Sequence, residues 1–254
     1  TGARKTEIVE DLRPETSYNA NLNYYHMMNL PRLGTLTIDA SVFYTYFNNK
    51  IIPDYESDQN KIIYANLPGF AESKGVSLNF IGRLPFNLKY NFGATFMDNT
   101  WTEDGETQRQ LLSEQITGTW SFSYCIPKAK LCIDYTGNVY GPMLLPVLGD
   151  DDPRSEMSPW WSIQNIQIVY SGFKNFEIYG GVKNLLNWTP GKNEPFLIAR
   201  AHDPFDKNVV FNADGSVQAT PENPNALTFD PAYVYAPNQG IRGFIGVRGV
   251  NFSG

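Results

Sequence analysis

The sequence predicts an all-β protein, an antiparallel up-and-down β-barrel that crosses a membrane with its strands. Apolar and polar residues alternate along most of the chain. The alternating runs are longer than soluble strands, and the connections between them are short and long in strict turn. The composition agrees. Of 254 residues, 18% are charged and 14% aromatic, where an ordinary soluble domain carries roughly 25% charge. The aromatic content excludes intrinsic disorder. No apolar run reaches the roughly 18 residues of a membrane helix. The net charge of -6 lacks the basic footprint of a nucleic-acid binder. A large soluble β-protein and a membrane β-barrel remain.

Strand by strand, period two decides between them. In 35–47, Leu36, Ile38, Ala40, Val42, Tyr44 and Tyr46 share one parity, and Thr37, Asp39, Ser41, Phe43 and Thr45 the other. That run exceeds the usual 5–6 residues and suits the roughly 9–11 that a tilted membrane strand needs. The pattern returns with Leu78, Phe80, Gly82 and Leu84 in 77–84, and with Leu88, Tyr90, Phe92, Ala94 and Phe96 in 88–97. It returns again with Trp120, Phe122, Tyr124 and Ile126 in 116–126, and with Leu131, Ile133, Tyr135 and Val139 in 131–139. Asp39, Arg83, Lys89 and Asp134 all fall on the polar face of these strands, leaving the other face free of charge, as lipid requires.

The main strands are expected at 16–28, 35–52, 61–84 (interrupted), 88–101, 114–126, 131–140, 160–170, 176–187 and 240–252. Short turns lie near 29–34, 85–87, 127–130 and 171–175; long connections lie near 53–60, 102–112, 141–159 and 188–239. A meander gathers the short turns at one end and the long loops at the other, the asymmetry of outer-membrane barrels. Nine strands are odd where a closed bacterial barrel is even, and the first begins on the long-loop side. Either a further strand lies in the first dozen residues or the barrel continues upstream of Thr1, and the orientation favours the second. In the last strand Ile241, Ile245 and Val247 compete with Phe244, Val250 and Phe252 for the outer parity.

One hairpin fixes its own register. If Ile126 faces Leu131, then Tyr124 faces Ile133, Phe122 faces Tyr135, and Trp120 covers Gly137, all outward. Cys125 then opposes Cys132 on the inner face. Opposed residues of a non-hydrogen-bonded pair stand about 4.5 Å apart, near the reach of a disulfide. A bond and two reduced thiols both remain open. Two cysteines make no disulfide framework, and His26 and His202 make no cysteine–histidine metal spacing.

The motifs then resemble a known family. Leu12-Arg13-Pro14-Glu15-Thr16-Ser17-Tyr18, Tyr46-Phe47-Asn48-Asn49-Lys50-Ile51-Ile52 and the stretch from Asn66 to Gly75 resemble successive late strands of TonB-dependent outer-membrane transporters. Gly181-Val182-Lys183-Asn184-Leu185-Leu186-Asn187 resembles the penultimate strand. Tyr235-Ala236-Pro237-Asn238-Gln239-Gly240-Ile241-Arg242 with Gly246-Val247-Arg248 resembles the closing one. The likeness spans nearly the whole chain, although the family usually stops on an aromatic residue and here Phe252 is followed by Ser253-Gly254. It implies that residues 1–254 are about the last nine or ten strands of a 22-stranded barrel whose lumen is plugged, with plug and Ton box outside this chain.

The resemblance further implies an outer-membrane receptor of a Gram-negative bacterium. It would take up a scarce, large nutrient (cobalamin, siderophore, haem or glycan) with energy from a TonB-type partner reached through the region upstream. A passive porin is the alternative. Residues 188–239 would be a long extracellular loop with its own hairpin, signalled by Asp214-Gly215. Stretches 195–206 and 229–235 are similar to loops of cobalamin-type receptors. Tyr55, Trp101, Trp160, Trp161, Trp188, Phe196 and Tyr233, on or beside the long loops, are the candidate substrate-binding residues. The tryptophans at strand ends also fit an interfacial girdle. Asp150-Asp151-Asp152 is either a calcium-binding loop or a solvated acidic one. No nucleophile elbow or P-loop occurs, so neither enzymatic activity nor a cofactor is expected. The expected partners are outer-membrane lipid, the TonB-type protein and the substrate, not nucleic acid.

Overall fold

The computed structural model describes residues 5–8, 10–32, 34–54, 61–146, 155–190, 210–213, 217–221, 235–237 and 239–249. In chain order its strands are β1 Lys5–Ile8, β2 Thr16–Leu30, β3 Gly34–Asn48, β4 Ile51–Asp54, β5 Lys61–Asn66, β6 Gly69–Arg83, β7 Leu88–Glu103 and β8 Glu106–Arg109. They continue as β9 Ile116–Ile126, β10 Leu131–Tyr140, β11 Trp161–Tyr170, β12 Phe176–Lys183, β13 Val210–Phe211, β14 Val217–Gln218 and β15 Arg242–Gly249. One wall runs β15-β12-β11-β10-β9-β7-β6-β3-β2, with β8 folded back on β7. Every pairing in it is antiparallel. These are the nine main strands expected. The wall is an open sheet: β2 and β15 are its edges.

The β9–β10 register is the expected one, with Ile126 opposite Leu131, Trp120 opposite Gly137 and Cys125 opposite Cys132. The Trp120 ring lies on Gly137 so closely that an added Cβ would stand 2.4 Å from its Cε2. Pairing carries this parity around the whole wall. Val42 aligns with Leu22 and Val76, Val76 with Phe96, and Phe92 with Phe80 and Trp120. Among the described residues nothing covers this outer face even on the inner strands of the wall: Val42 is 53% exposed, Phe92 46% and Phe96 55%, which suits apolar side chains that face lipid. The last strand resolves as well. Ile245 and Val247 align with Gly180 and Ile178 on the outer face. Phe244 turns inward, with Lys183 over its ring.

The charge-free outer face has an upper limit. One step beyond Val76 and Phe96, Lys74 pairs with Asp98 at 3.6 Å, and Tyr44 Oη donates to Glu72 Oε1 at 2.5 Å. The apolar band therefore stops between Val76 and Lys74, and the strands run on above it.

Three expected runs differ from the strands found; of 61–84 only β6 joins the wall, while β5 belongs to a separate small sheet. The run 35–52 is two strands, because Asn49 takes a left-handed φ of 54°. Beyond it β4 leaves the wall and joins β5, which also pairs in parallel with β1. The run 176–187 ends at Lys183 because Asn184 and Asn187 are also left-handed (φ 52° and 49°); asparagine is among the few non-glycine residues that visit this region readily. Apart from Val169, which pairs with Cys132 near the short-turn end, the buried apolar residues among those described gather at the long-loop end. Leu67 and Ala71 are buried on one side of it, and Met143, Leu145, Trp161, Tyr235 and Ala236 form a cluster on the other.

Candidate functional site

The long-loop end is built on side-chain amides. Asn66, 6% exposed, donates from Nδ2 to the carbonyls of Arg13 (2.9 Å) and Asn49 (2.7 Å), and its Oδ1 accepts from Arg13 N–H at 2.6 Å. Its own N–H donates to Glu10 Oε1, and Ile51 N–H to Glu15 Oε1. Three chain segments meet at this one residue, which fixes the β1-β5-β4 sheet above β3 and β6. Beside it, β7 turns into β8 through Asp104-Gly105, both at positive φ (50° and 83°), the two-residue hairpin turn that Asp-Gly favours.

Between these parts lies a cavity of about 450 Å³, lined by Lys50, Ile51, Asn66, Trp101, Arg109 and Gln110, with Leu111, Leu112 and Leu144 as its apolar wall. Lys50 Nζ donates to Gln110 Oε1 at 2.8 Å and stands 4.9 Å from the centroid of the Phe47 ring. Burial holds its pKa below the ordinary lysine value, and the Glu15 carboxylate partly opposes this. Two cations, the two carboxylates of Asp54 and Glu103, amide groups and an indole around an apolar wall suit a large ligand with both polar and flat surfaces.

Behind the apolar wall is the aromatic cluster. Trp161 stacks on Tyr140 (centroids 4.1 Å) and on Trp188 (5.3 Å), and Trp188 meets Tyr235 at 6.3 Å. Asn184, 4% exposed, ties the stems of the 188–239 segment together. Its Nδ2 donates to the carbonyls of Trp188 (2.7 Å) and Gln239 (2.9 Å), and its Oδ1 accepts from Trp188 N–H at 3.0 Å. Asn187 Oδ1 accepts from Ile241 N–H at 2.9 Å.

The residues singled out by sequence fall in different places. Trp101 lines the cavity. Trp160 is 53% exposed, its ring reaching over Gly141, a position that suits an interfacial girdle. Trp161 is 6% exposed and with Trp188 belongs to the packed cluster rather than to the cavity lining. Tyr55, Phe196, Tyr233, His202 and Asp150-Asp151-Asp152 lie outside the described residues. Val210–Phe211 and Val217–Gln218 pair as a hairpin. His26 stacks with Tyr24 on β2. Among the described residues, no group of three or more His, Cys, Asp or Glu gathers to hold a metal.

Sequence reasoning missed Lys50, Arg109 and Gln110 as cavity residues. Asp104-Gly105 was a usable signal for β8 and hence for Arg109; Lys50 had none, because its position depends on the break at Asn49. At the short-turn end, the Cys125 and Cys132 sulfurs stand 2.09 Å apart with Cα atoms at 4.1 Å. Cys125 N–H points away, to Asn87 O, so this is the narrow, non-hydrogen-bonded kind of pair.

The family model for the TonB dependent receptor-like β-barrel matches residues 2–185. The chain belongs to the TonB-dependent receptor family. Solved structures agree on the fold of this receptor chain. The FrpB iron transporter from Neisseria meningitidis (F3-3 variant) is 15% identical with a TM-score of 0.52, over 73% of this chain and 28% of that one. The ferric-catecholate import receptor Fiu from K12 E. coli is 15% identical with a TM-score of 0.54, over 70% and 24%. The siderophore receptor PirA from Acinetobacter baumannii is 18% identical with a TM-score of 0.51, over 70% and 28%. The receptor chain thus matches about a quarter of the length of those structures. No curated protein matches it by sequence.

Proposed function

We propose that this chain is part of the wall and outer rim of an outer-membrane transporter that captures a scarce, large nutrient at the long-loop end and imports it with TonB-supplied energy. The loop-end cavity carries this reading: Lys50 and Arg109 with Asp54 and Glu103 offer charge of both signs, Trp101 offers a flat ring, and the apolar wall of leucines offers a dry surface. The family supports an importer, and siderophore, iron and copper transporters stand among its structural likenesses. Iron chelates are therefore the first candidates, with cobalamin, haem and glycans behind them. Long loops at one end suit capture from outside, and the uncovered apolar band suits outer-membrane lipid.

The test uses the full-length protein in cells lacking other receptors for the panel. Uptake of one of these four nutrient classes is expected, to be abolished by an uncoupler or by loss of the TonB-type partner. Trp101→Ala should weaken binding roughly tenfold, about 1.4 kcal/mol, as the loss of an aromatic anchor does. Uptake that continues unchanged without energy would favour a passive porin.

A further inference from the structure

We propose that Asn184, which does not line the cavity, is a positioning residue for the cavity's apolar wall. The route is continuous. The Asn184 amide holds the backbone of Trp188 and Gln239 on the end of β12. Trp188 carries Trp161 and Tyr235 into one cluster with Met143 and Leu145. Residues 143–145 are extended, clipped between Leu112 and Ser158: Leu112 N–H donates to Leu144 O, and Ser158 N–H to Met143 O. Alternation in an extended segment sends neighbours to opposite sides. Met143 and Leu145 enter the cluster, while Leu144 between them lines the cavity, together with Leu112, which also packs against the cluster. One side of this short segment is the cavity wall, and the other is seated on rings that Asn184 fixes. Releasing the stems at Asn184 unseats the segment from behind.

The importance of this wall rests on the cavity being the capture site, but the test needs no ligand. In the full-length protein purified in detergent, Leu111→Cys is labelled with a bimane maleimide, and its quenching by iodide reports how well the wall excludes solvent. Asn184→Gly is the informative variant, because glycine accepts the left-handed backbone and removes only the amide. It should raise iodide quenching at position 111 about twofold or more, in line with couplings carried through packed networks. The same label at Ser77→Cys, on the inner wall, should not change. Trp188→Ala should act like Asn184→Gly, and Trp188→Phe, which keeps a stacking ring, should leave position 111 protected.

Unchanged quenching at 111 in Asn184→Gly overturns the proposal, as does an equal rise at 77, which would mean general loosening. If Asn184→Gly does not fold, the Trp188→Ala and Trp188→Phe pair decides, with equal effects of the two counting against it. A nutrient panel without a hit would count against the proposed function and leave these optical results intact. Normal nutrient binding with an insensitive label would overturn the positioning role alone.

Discussion

Gly137 shows how little room a single residue has in this wall. The indole of Trp120 occupies the place a side chain would take, so Gly137→Ala must displace the ring from its cross-strand seat. Overpacking of this kind costs about 1–3 kcal/mol, and urea unfolding of the full-length protein in micelles should show a loss of that size. Lys50 works in the opposite sense. Burial disfavours its ammonium, so its folded pKa lies below the unfolded value. In the window between the two the unfolded chain binds more protons, and stability rises with pH. Below that window the folded state bears the full desolvation penalty. Lys50→Met should therefore be most favourable relative to wild type near neutral pH, and its advantage should shrink as pH climbs into the lysine range. Unfolding measured at both ends of that range checks the sign.

Among the elements, the β9–β10 hairpin was legible because both faces constrain it at once: a one-residue slip would turn Trp120, Phe122 and Tyr124 into the lumen. The breaks at Asn49 and Asn184 were not legible. Alternation lapses at both, in Asn48-Asn49-Lys50-Ile51-Ile52 and in Lys183-Asn184-Leu185-Leu186, but a short lapse does not by itself place a strand end; what ends the strand is a left-handed asparagine in hydrogen bonds with segments 17 to 55 residues away. The cavity was hidden for the same reason. Trp101 could be found by its place at a strand end, but Lys50 and Gln110 meet across 60 residues. Trp161 and Trp188 had the composition of a stacking site, and only packing distinguishes rings that face a ligand from rings that face each other. Asn66→Ala should detach the β1-β5-β4 sheet, since it strands the Arg13 and Asn49 backbone groups. Each unsatisfied group costs about 1–3 kcal/mol. Hydrogen exchange should rise in β4 and β5 while β6 and β7 stay protected. In the hairpin, the unreduced peptide spanning Cys125 and Cys132 should be lighter than the reduced one by the mass of two thiol hydrogens. Free thiols would contradict the bond and leave the strand register as it is.

At the scale of the molecule, the outer face predicts a depth profile. Spin labels at Val42, Val76, Phe92 and Ile133 in bilayers should be accessible to oxygen, and labels at Thr37, Ser121 and Thr136 should not. A water-soluble nickel complex should begin to reach the outer face between Val76 and Lys74, where the ion pair with Asp98 ends the apolar band. A dry protein core around Val42 and Phe92 would contradict the membrane reading.

The order of the wall also bears on how such a molecule can change its girth. Each wall strand lies beside its predecessor and successor in the wall's own chain order, so a consecutive pair is a self-contained tile. Excising β9 and β10 would leave β7 and β11 running in opposite senses with their even-numbered residues still outward, able to join edge to edge without reversing a single side chain. Width can thus be gained or lost two strands at a time by duplicating or dropping a hairpin-coding stretch. The cavity and its staples limit where this is tolerated: the loops after β3, β7 and β10 all contribute to the rim, whereas the turns at the opposite end carry no such obligation.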